Sequence, residues 1–250
     1  MSIVAKIAKG VSHRSFAGRA IRLPLRMMPN NVVVPVLGGF NRGMRWLTGA
    51  GTTSGCWLGT YEEDHFQALG KIVQPGMVAF DLGANAGFYT LALSRLVGDS
   101  GRVFAFEPDA RCVYLLRRHI DLNKLRNVTI VQAAVSDSIG LVAFNGWELM
   151  QSSEYVVPSV SLDEFIGAGN PRPDFVKMDI EGAEVTALKG ARNLLTNART
   201  TWLMAPHSEE LTVSCKTTFT QNGYRLRALD CVSDAPDAGD FMALAIGAKD

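Results

Sequence analysis

The stretch VAFDLGANAGFYTL, residues 78–91, places small residues between a β-like run and an apolar helical pattern. Asp81 lies near the end of the predicted strand, and Asn85 lies in the middle of the small-residue turn. Gly83 and Gly87 predict a tight turn in which the main chain comes close to a bound molecule. A strand, a turn and a helix in this order are typical of a ligand site.

Glu107 supplies the second half of this predicted site. It follows Gly87 by 20 residues, at the carboxyl end of the strand run RVFAFEP. A carboxylate there can accept hydrogen bonds from both hydroxyls of a ribose, whether the ligand is a dinucleotide or another nucleoside. The dinucleotide fingerprint GxGxxG, started at Gly83, requires glycines where Asn85 and Phe88 stand. The sequence therefore favours S-adenosylmethionine, which carries a nucleoside and no phosphate. A nicotinamide-dependent oxidoreductase and a non-catalytic S-adenosylmethionine-binding module are the alternatives.

A second group of polar residues follows two later strand runs. The segment FVKMDIEGAE contains Lys177, Asp179, Glu181 and Glu184, and His207 follows the run TTWLMAPH. A hydroxyl must lose its proton when it is methylated, and we predict that Asp179, Glu181 and His207 carry out this chemistry. A histidine with the ordinary pKa of about 6.5 would act as a base at neutral pH. The alternatives are helix capping by the glutamates and a divalent cation on the carboxylates. No metal is predicted, because no histidine joins this segment locally.

The remaining chain alternates strand-like and helix-like runs. The middle strand runs are apolar on both faces, as in a parallel sheet that helices cover. This rhythm predicts a right-handed, doubly wound α/β fold, with the ligand at the carboxyl ends of the central strands. The run NVTIVQAAVSD is interpreted as one strand that ends in Ser136 and Asp137, which are candidates to contact an adenine edge. The run AEVTALKGARNLLTN is interpreted as one helix.

Five segments of the chain together resemble the FkbM family of S-adenosylmethionine-dependent methyltransferases. They are VAFDLGANAGFYTL, VFAFEPDARCVYLLRRHIDLN, VTIVQAAVSD, VPSVSLDEF and PDFVKMDIEGAEVTALKGA. The resemblance implies a Rossmann-like class I fold, with a seven-stranded, mostly parallel sheet whose last strand is antiparallel and with helices on both faces. It also implies O-methylation of a hydroxyl on a sugar, glycolipid or natural product. Ala205 stands where many members carry the glutamate of a Glu-x-His pair, so one orienting carboxylate beside His207 is missing.

The charges divide the chain into two predicted parts. The net charge of the 250 residues is +1, which gives no indication of nucleic acid, and none is predicted as a partner. Residues 1–61 nevertheless carry eight bases and no acid. We predict a basic N-terminal arm with a short helix and strands, residues 1–60, and a methyltransferase domain, residues 61–250. An amphipathic helix in residues 3–11 would pack on its own domain or on a second copy; peripheral membrane contact and a targeting peptide are alternatives.

The cysteines and the hydropathy indicate the compartment. None of the four cysteines lies in a CxxC pair or at a zinc-ligand spacing. We interpret them as reduced thiols of a cytoplasmic protein. No apolar run is long enough to span a bilayer. The predicted partner is therefore a small molecule, a carbohydrate or a glycosylated compound, and a homo-oligomer is an alternative use of the arm.

Overall fold

The computed structural model describes residues 29–51, 53–61, 63–144, 155–196, 198–229 and 239–245. The predicted N-terminal helix lies outside these residues. The described strands are β1 (Val33–Pro35), β2 (Arg45–Leu47), β3 (Val78–Leu82), β4 (Arg102–Phe106), β5 (Val128–Val131), β6 (Ala134–Val135), β7 (Gly140–Phe144), β8 (Tyr155–Val160), β9 (Phe175–Met178), β10 (Thr201–Met204), β11 (Arg225–Ala228) and β12 (Phe241–Leu244). The described helices are α1 (Gly55–Leu58), α2 (Glu63–Ile72), α3 (Phe88–Val97), α4 (Ala110–Asn123), α5 (Leu162–Gly167), α6 (Glu184–Lys189), α7 (Arg192–Leu195) and α8 (Glu209–Gln221). No helix within the described ranges has the length and apolar character needed to cross a membrane.

A seven-stranded sheet lies at the centre, in the order β11-β12-β10-β9-β3-β4-β5. Strand β3 pairs in parallel with both β4 and β9, and β10 pairs in parallel with β9. Strand β12 runs antiparallel to its neighbours β10 and β11. The structure therefore confirms the predicted Rossmann-like class I sheet, including the antiparallel last strand.

The alternation of side chains along the strands gives the sheet two apolar faces. Ala79 and Val103 point to the face that α2 and α3 cover, where they meet Leu69 and Leu93. Phe80 and its neighbours on β4, β9 and β10 contact α5, α6, α7 and α8 on the other face. Both faces are thus shielded from water, which explains why the central strands are apolar throughout.

Two predicted elements are each divided in the structure. The run NVTIVQAAVSD forms β5 in the central sheet and β6 in a separate three-stranded sheet with β8 and β7. The run AEVTALKGARNLLTN forms the two helices α6 and α7, with Gly190 between them. A side chain on Gly190 would overlap the main-chain oxygen of Ser136. The single strand and the single helix were therefore wrong, because tertiary contacts rather than the local pattern decide where these elements end.

The β1–β2 hairpin packs against α4. The main-chain N–H of Leu47 donates to His119 Nε2 at 2.9 Å, and that of Arg45 donates to Asn123 Oδ1 at 2.7 Å. The ring of Trp46 stacks on His119 with the centroids 3.9 Å apart. The described part of the predicted arm thus shares a buried core with α3 and α4.

Candidate functional site

A cavity of about 610 Å³ lies at the carboxyl ends of the central strands. Its wall includes the turn after β3, the acid after β4, and the loops after β9 and β10. Small-molecule sites commonly have volumes of roughly 300–1,000 Å³ and lie at this edge of an open α/β sheet. Most of the polar groups singled out in the sequence therefore line one ligand-sized cavity: Asn85, Glu107, Ser136, Lys177, Asp179, Glu181 and His207.

The glycine turn, residues 83–87, is packed against the rest of the chain. Gly83 has φ of +75°, and a side chain there would overlap the carbonyl oxygen of Asp179. A Cβ on Gly87 would lie 2.5 Å from Leu116 Cδ1. These contacts place the turn against the loop after β9 and against α4, and the close approach of a ligand to the turn stays a prediction. Residues 83–86 line the cavity.

Glu107 lies directly beside this turn, with 6% of its surface exposed. Its Oε2 accepts the main-chain N–H of Asn85 at 2.7 Å, and its Oε1 accepts that of Asp109 at 2.9 Å. Burial raises the pKa of Glu107, and these two N–H donors act in the opposite direction. Each carboxylate oxygen retains a lone pair for a further donor. The side chain is held in place and can still accept hydrogen bonds from hydroxyl groups.

Asp81 lies beneath the cavity. It is fully buried, and its Oδ2 accepts the hydroxyl of Thr90 at 2.5 Å. Its Oδ1 lies 3.6 Å from the ammonium of Lys177, which donates to the carbonyl of Gly83 at 3.0 Å. Asp81 therefore reaches the glycine turn through Lys177 and does not line the cavity, so the predicted direct contact of its side chain with the cofactor has no support in the structure. In the sequence, the buried position of Lys177 could be found because it is a lone lysine in an apolar strand run.

Ser136 and Asp137 are placed differently from each other. Ser136 is 7% exposed and lines the cavity. Asp137 is exposed outside the cavity wall, and its Oδ1 lies 3.4 Å from the hydroxyl of Ser136. Only Ser136 is therefore in place to contact a ligand directly.

The histidine–carboxylate cluster consists of Asp179, Glu181, Glu184 and His207. His207 Nδ1 lies 2.9 Å from Glu184 Oε1. On the other side of the ring, Nε2 lies 3.0 Å from Glu181 Oε2 and 3.4 Å from Asp179 Oδ1. Glu184 is fully buried, whereas the other three side chains are partly exposed and line the cavity. The predicted catalytic residues Asp179, Glu181 and His207 do come together.

The carboxylates change the titration of His207. Hydrogen bonds to Glu181 and Glu184 and the charge of Asp179 raise the pKa of His207 to about 10. Burial by itself would raise the pKa of Glu184, but its bond to His207 and a main-chain N–H from Gly182 outweigh burial and lower it. The ordinary histidine pKa expected from the sequence is wrong here. At neutral pH the imidazole carries its proton and is a poor base.

A chain of polar side chains that the sequence analysis missed also reaches the cavity. His65 Nδ1 lies 2.8 Å from the hydroxyl of Tyr89, and His65 Nε2 lies 3.1 Å from Asp240 Oδ2. Tyr89 and Asp240 line the cavity. These residues come from distant parts of the sequence and form no local motif, so no signal in the sequence connects them.

The fold and the site define a class I methyltransferase architecture. The domain described as "Methyltransferase FkbM domain" matches residues 81–226. The chain therefore belongs to the FkbM methyltransferase family, as the resemblance predicted. This membership favours a methyltransferase over the nicotinamide-dependent alternative.

Two curated relatives have similar sequences. The hexuronic acid methyltransferase AglP of Haloferax volcanii is 29% identical over 143 residues, which cover 54% of this chain and 58% of AglP. The 2-O-methyltransferase NoeI of Sinorhizobium fredii is 28% identical over 162 residues, which cover 54% of this chain and 65% of NoeI. The chain thus matches about three fifths of the length of these relatives.

Two solved structures support the fold. The FkbM methyltransferase of Methylobacillus flagellatus has a TM-score of 0.55 at 19% identity, over 72% of this chain and 50% of that one. Fibrillarin of Aeropyrum pernix, solved with natively bound S-adenosyl-L-methionine, has a TM-score of 0.52 at 15% identity, over 87% of this chain and 100% of that one. At these identities the likeness establishes the fold.

Proposed function

We propose that the chain is an S-adenosylmethionine-dependent O-methyltransferase that acts on a hydroxyl group of a sugar or a glycosylated small molecule. One observation carries the proposal: the buried carboxylate of Glu107 and the histidine–carboxylate cluster line the same cavity. Class I methyltransferase folds are compatible with several chemistries, so the residues of the site decide the function.

The glycine-turn side of the cavity fits the nucleoside of S-adenosylmethionine. Both oxygens of Glu107 are held by main-chain N–H groups and can accept the ribose hydroxyls. Ala84 and Ala86 leave space beside the turn, and Ser136 offers a hydroxyl to the base. S-adenosylmethionine supplies the methyl group when it is bound.

The histidine–carboxylate cluster fits the acceptor. Methyl transfer from a sulfonium is an in-line displacement, so the residues mainly have to align the acceptor hydroxyl and take its proton. Because His207 already carries a proton, Asp179 and Glu181 are the groups that accept one. The positive His207 holds these two carboxylates in place. His207 thus positions the cluster, and we no longer assign it the role of base.

The names of the relatives support the acceptor class. AglP is named for a hexuronic acid, and NoeI is named for transfer to an oxygen. We propose a carbohydrate hydroxyl on this basis. A cytoplasmic location, membrane contact through the arm and a homo-oligomer stay predictions, as does the domain boundary near residue 60.

A transfer assay with labelled S-adenosylmethionine tests the proposal. Sugars, hexuronic acids and glycolipids are offered in parallel, and an organic-soluble or chromatographically resolved product is counted. We expect Asp179→Asn to lower turnover by about 10²–10⁴-fold, because it removes a proton acceptor. Asp121→Asn makes the same chemical change at an exposed position on α4 and should leave turnover unchanged. Full activity of Asp179→Asn would contradict the proposed role of this carboxylate.

A further inference from the structure

The histidine–carboxylate cluster has features that proton transfer alone does not require. Its side chains come from the loop after β9, the first residue of α6 and the loop after β10. One oxygen each from Asp179 and Glu181 and one ring nitrogen of His207 all lie within 4.8 Å of one another. No histidine is adjacent to these carboxylates in the sequence, so only the fold reveals the mixed set of nitrogen and oxygen ligands.

We propose that Asp179, Glu181 and His207 form a binding site for a divalent cation of the Mn²⁺ type. The ligands are one oxygen from each carboxylate and Nε2 of His207. The proposal adds a metal to the site of the proposed function: the cation displaces the Nε2 proton of His207 to solvent and leaves a neutral ring that keeps its Nδ1 proton. It depends on that function only for the role of the metal. It replaces the prediction from the sequence that no metal is bound.

The distances suit a cation. Ligand atoms at right angles to each other, with bonds of about 2.1 Å, are about 3 Å apart. His207 Nε2 lies 3.0 Å from Glu181 Oε2 and 3.4 Å from Asp179 Oδ1. A single N–H group cannot point at both oxygens, whereas a cation between the three atoms can bind all of them. Small rotations of partly exposed side chains are sufficient to form these bonds.

Glu184 orients the imidazole as an outer carboxylate does in metal sites. It holds Nδ1 at 2.9 Å, which directs Nε2 toward the other two carboxylates. Histidine ligands usually donate their second ring N–H to a carboxylate or a carbonyl in this way. Glu184 is fully buried, and its Oε2 has no hydrogen-bond partner among the residues that the structure describes.

The charge of the cluster also favours a cation. Three carboxylates surround the single imidazole, and Lys177 is the cation that lies beside Asp179, at 3.3 Å. A buried carboxylate such as Glu184 is costly unless positive charge lies close to it. A dication on His207 Nε2 supplies more of that charge than the proton does, and it polarises the Nδ1–H that Glu184 accepts.

The ligand set decides the class of metal. Two carboxylates and one imidazole favour a cation that accepts both oxygen and nitrogen, and no thiol is present in the described ligand group to favour a softer one. The three ligands are partly exposed toward the cavity, so water or an acceptor hydroxyl can complete the coordination. A bound dication would lower the pKa of such a hydroxyl, and Asp179 or Glu181 would take its proton with the carboxylate oxygen that does not bind the cation.

Mn²⁺ binding by the full chain tests the proposal without any methyl acceptor. The protein is freed of metal with a chelator and titrated with Mn²⁺, while the free ion is followed by electron paramagnetic resonance. We expect one Mn²⁺ per chain. The affinity should be at least about 10–100-fold lower in both Glu181→Gln and His207→Gln, since losing a ligand costs at least as much as losing its outer partner. Glu210→Gln makes the same change at an exposed acid on α8 and should bind as the wild type does. Circular dichroism shows whether each variant is folded.

Two outcomes would overturn the metal site: no stoichiometric Mn²⁺ binding by the wild type, or binding that Glu181→Gln and His207→Gln leave unchanged. Calorimetry of the metal-free chain with S-adenosylmethionine separates this failure from failure of the proposed function. If S-adenosylmethionine binds and Mn²⁺ does not, the metal proposal falls and the function stands. If Mn²⁺ binds at these residues and S-adenosylmethionine does not, the function falls and the metal site stands.

Discussion

The glycine turn and the histidine–carboxylate cluster lie at the same cavity and are built from different chemical groups. In the turn, main-chain N–H groups and one carboxylate, Glu107, make the polar contacts. In the cluster, charged side chains make nearly all of them. Sequence patterns can specify the first arrangement, because its two parts lie at the ends of adjacent strands. The second depends on the tertiary fold.

The two regions also differ in the protonation of the histidine found at each. His119 is fully buried, donates from Nδ1 to the carbonyl of Ala86 at 2.7 Å and accepts from the N–H of Leu47 with Nε2. Burial lowers the pKa of His119 to about 4, while the carboxylates raise that of His207 to about 10. A neutral imidazole therefore joins the glycine turn to the β1–β2 hairpin, and a charged one holds the cluster together.

The two regions meet at one contact. Gly83 packs on the carbonyl of Asp179, and Lys177 contacts both residues. The turn therefore fixes the position of the first residue of the cluster. A change at this contact should affect both regions, whereas a change elsewhere in one region should affect that region alone.

Gly83→Val should have the largest effect. The left-handed φ and the overlap with the Asp179 carbonyl together should cost about 2–5 kcal/mol of unfolding free energy. Both S-adenosylmethionine and Mn²⁺ binding should be lost in the fraction that folds. Gly167→Ala is the control, since a Cβ at Gly167 would have no neighbour within 4 Å. Urea unfolding and the two binding assays measure these effects, and loss of one ligand alone would show that the regions are independent.

His119 should make the chain sensitive to acid. An unfolded histidine has a pKa of about 6.5, so between pH 6.5 and 4 the unfolded chain binds a proton that the folded chain does not. The stabilisation is present above pH 6.5 and is lost as the pH falls. The difference in unfolding free energy between the wild type and His119→Gln should shrink by about 3 kcal/mol from pH 7 to pH 4. A difference that does not change with pH would contradict the assignment of a neutral imidazole.

His207 provides the opposite test in the metal-free chain. Its folded pKa is raised, so its contribution is fully present below pH 6.5 and is lost as the pH rises through about 10. The difference in unfolding free energy between the wild type and His207→Gln should therefore shrink in alkali. The corresponding difference for His119→Gln should stay constant there. If both variants respond in the same direction, the two environments do not differ as described.

The sequence was sufficient for the parts of the molecule that local patterns control. Apolar runs predicted the parallel strands, and the closing antiparallel strand followed from the family resemblance. Glu107 and the glycine turn were found because they occupy the ends of adjacent strands. The sequence did not show that Asp179 lies against Gly83 or Leu116 against Gly87, because these contacts join distant parts of the chain.

Other features depend on contacts between distant residues. His119 had no strand-end context, and its partner Leu47 lies 72 positions away. Glu184 was a candidate helix cap, and the fold places it where it orients His207. Strand β8 depends likewise on pairing with β6 and β7, and the division of the helix at Gly190 depends on packing against Ser136, which follows β6.

Calorimetric titration with S-adenosylmethionine tests the central claim most directly. We expect one S-adenosylmethionine per wild-type chain and no binding of NAD. The affinity of Glu107→Ala for S-adenosylmethionine should be at least about 10²-fold lower, because two charge-assisted hydrogen bonds of about 1.5–3 kcal/mol each are lost. Glu107→Gln keeps the size of the side chain and one acceptor oxygen, so its affinity should lie between those of the wild type and Glu107→Ala. Equal affinity of the wild type and Glu107→Ala, or binding of NAD instead, would contradict the account.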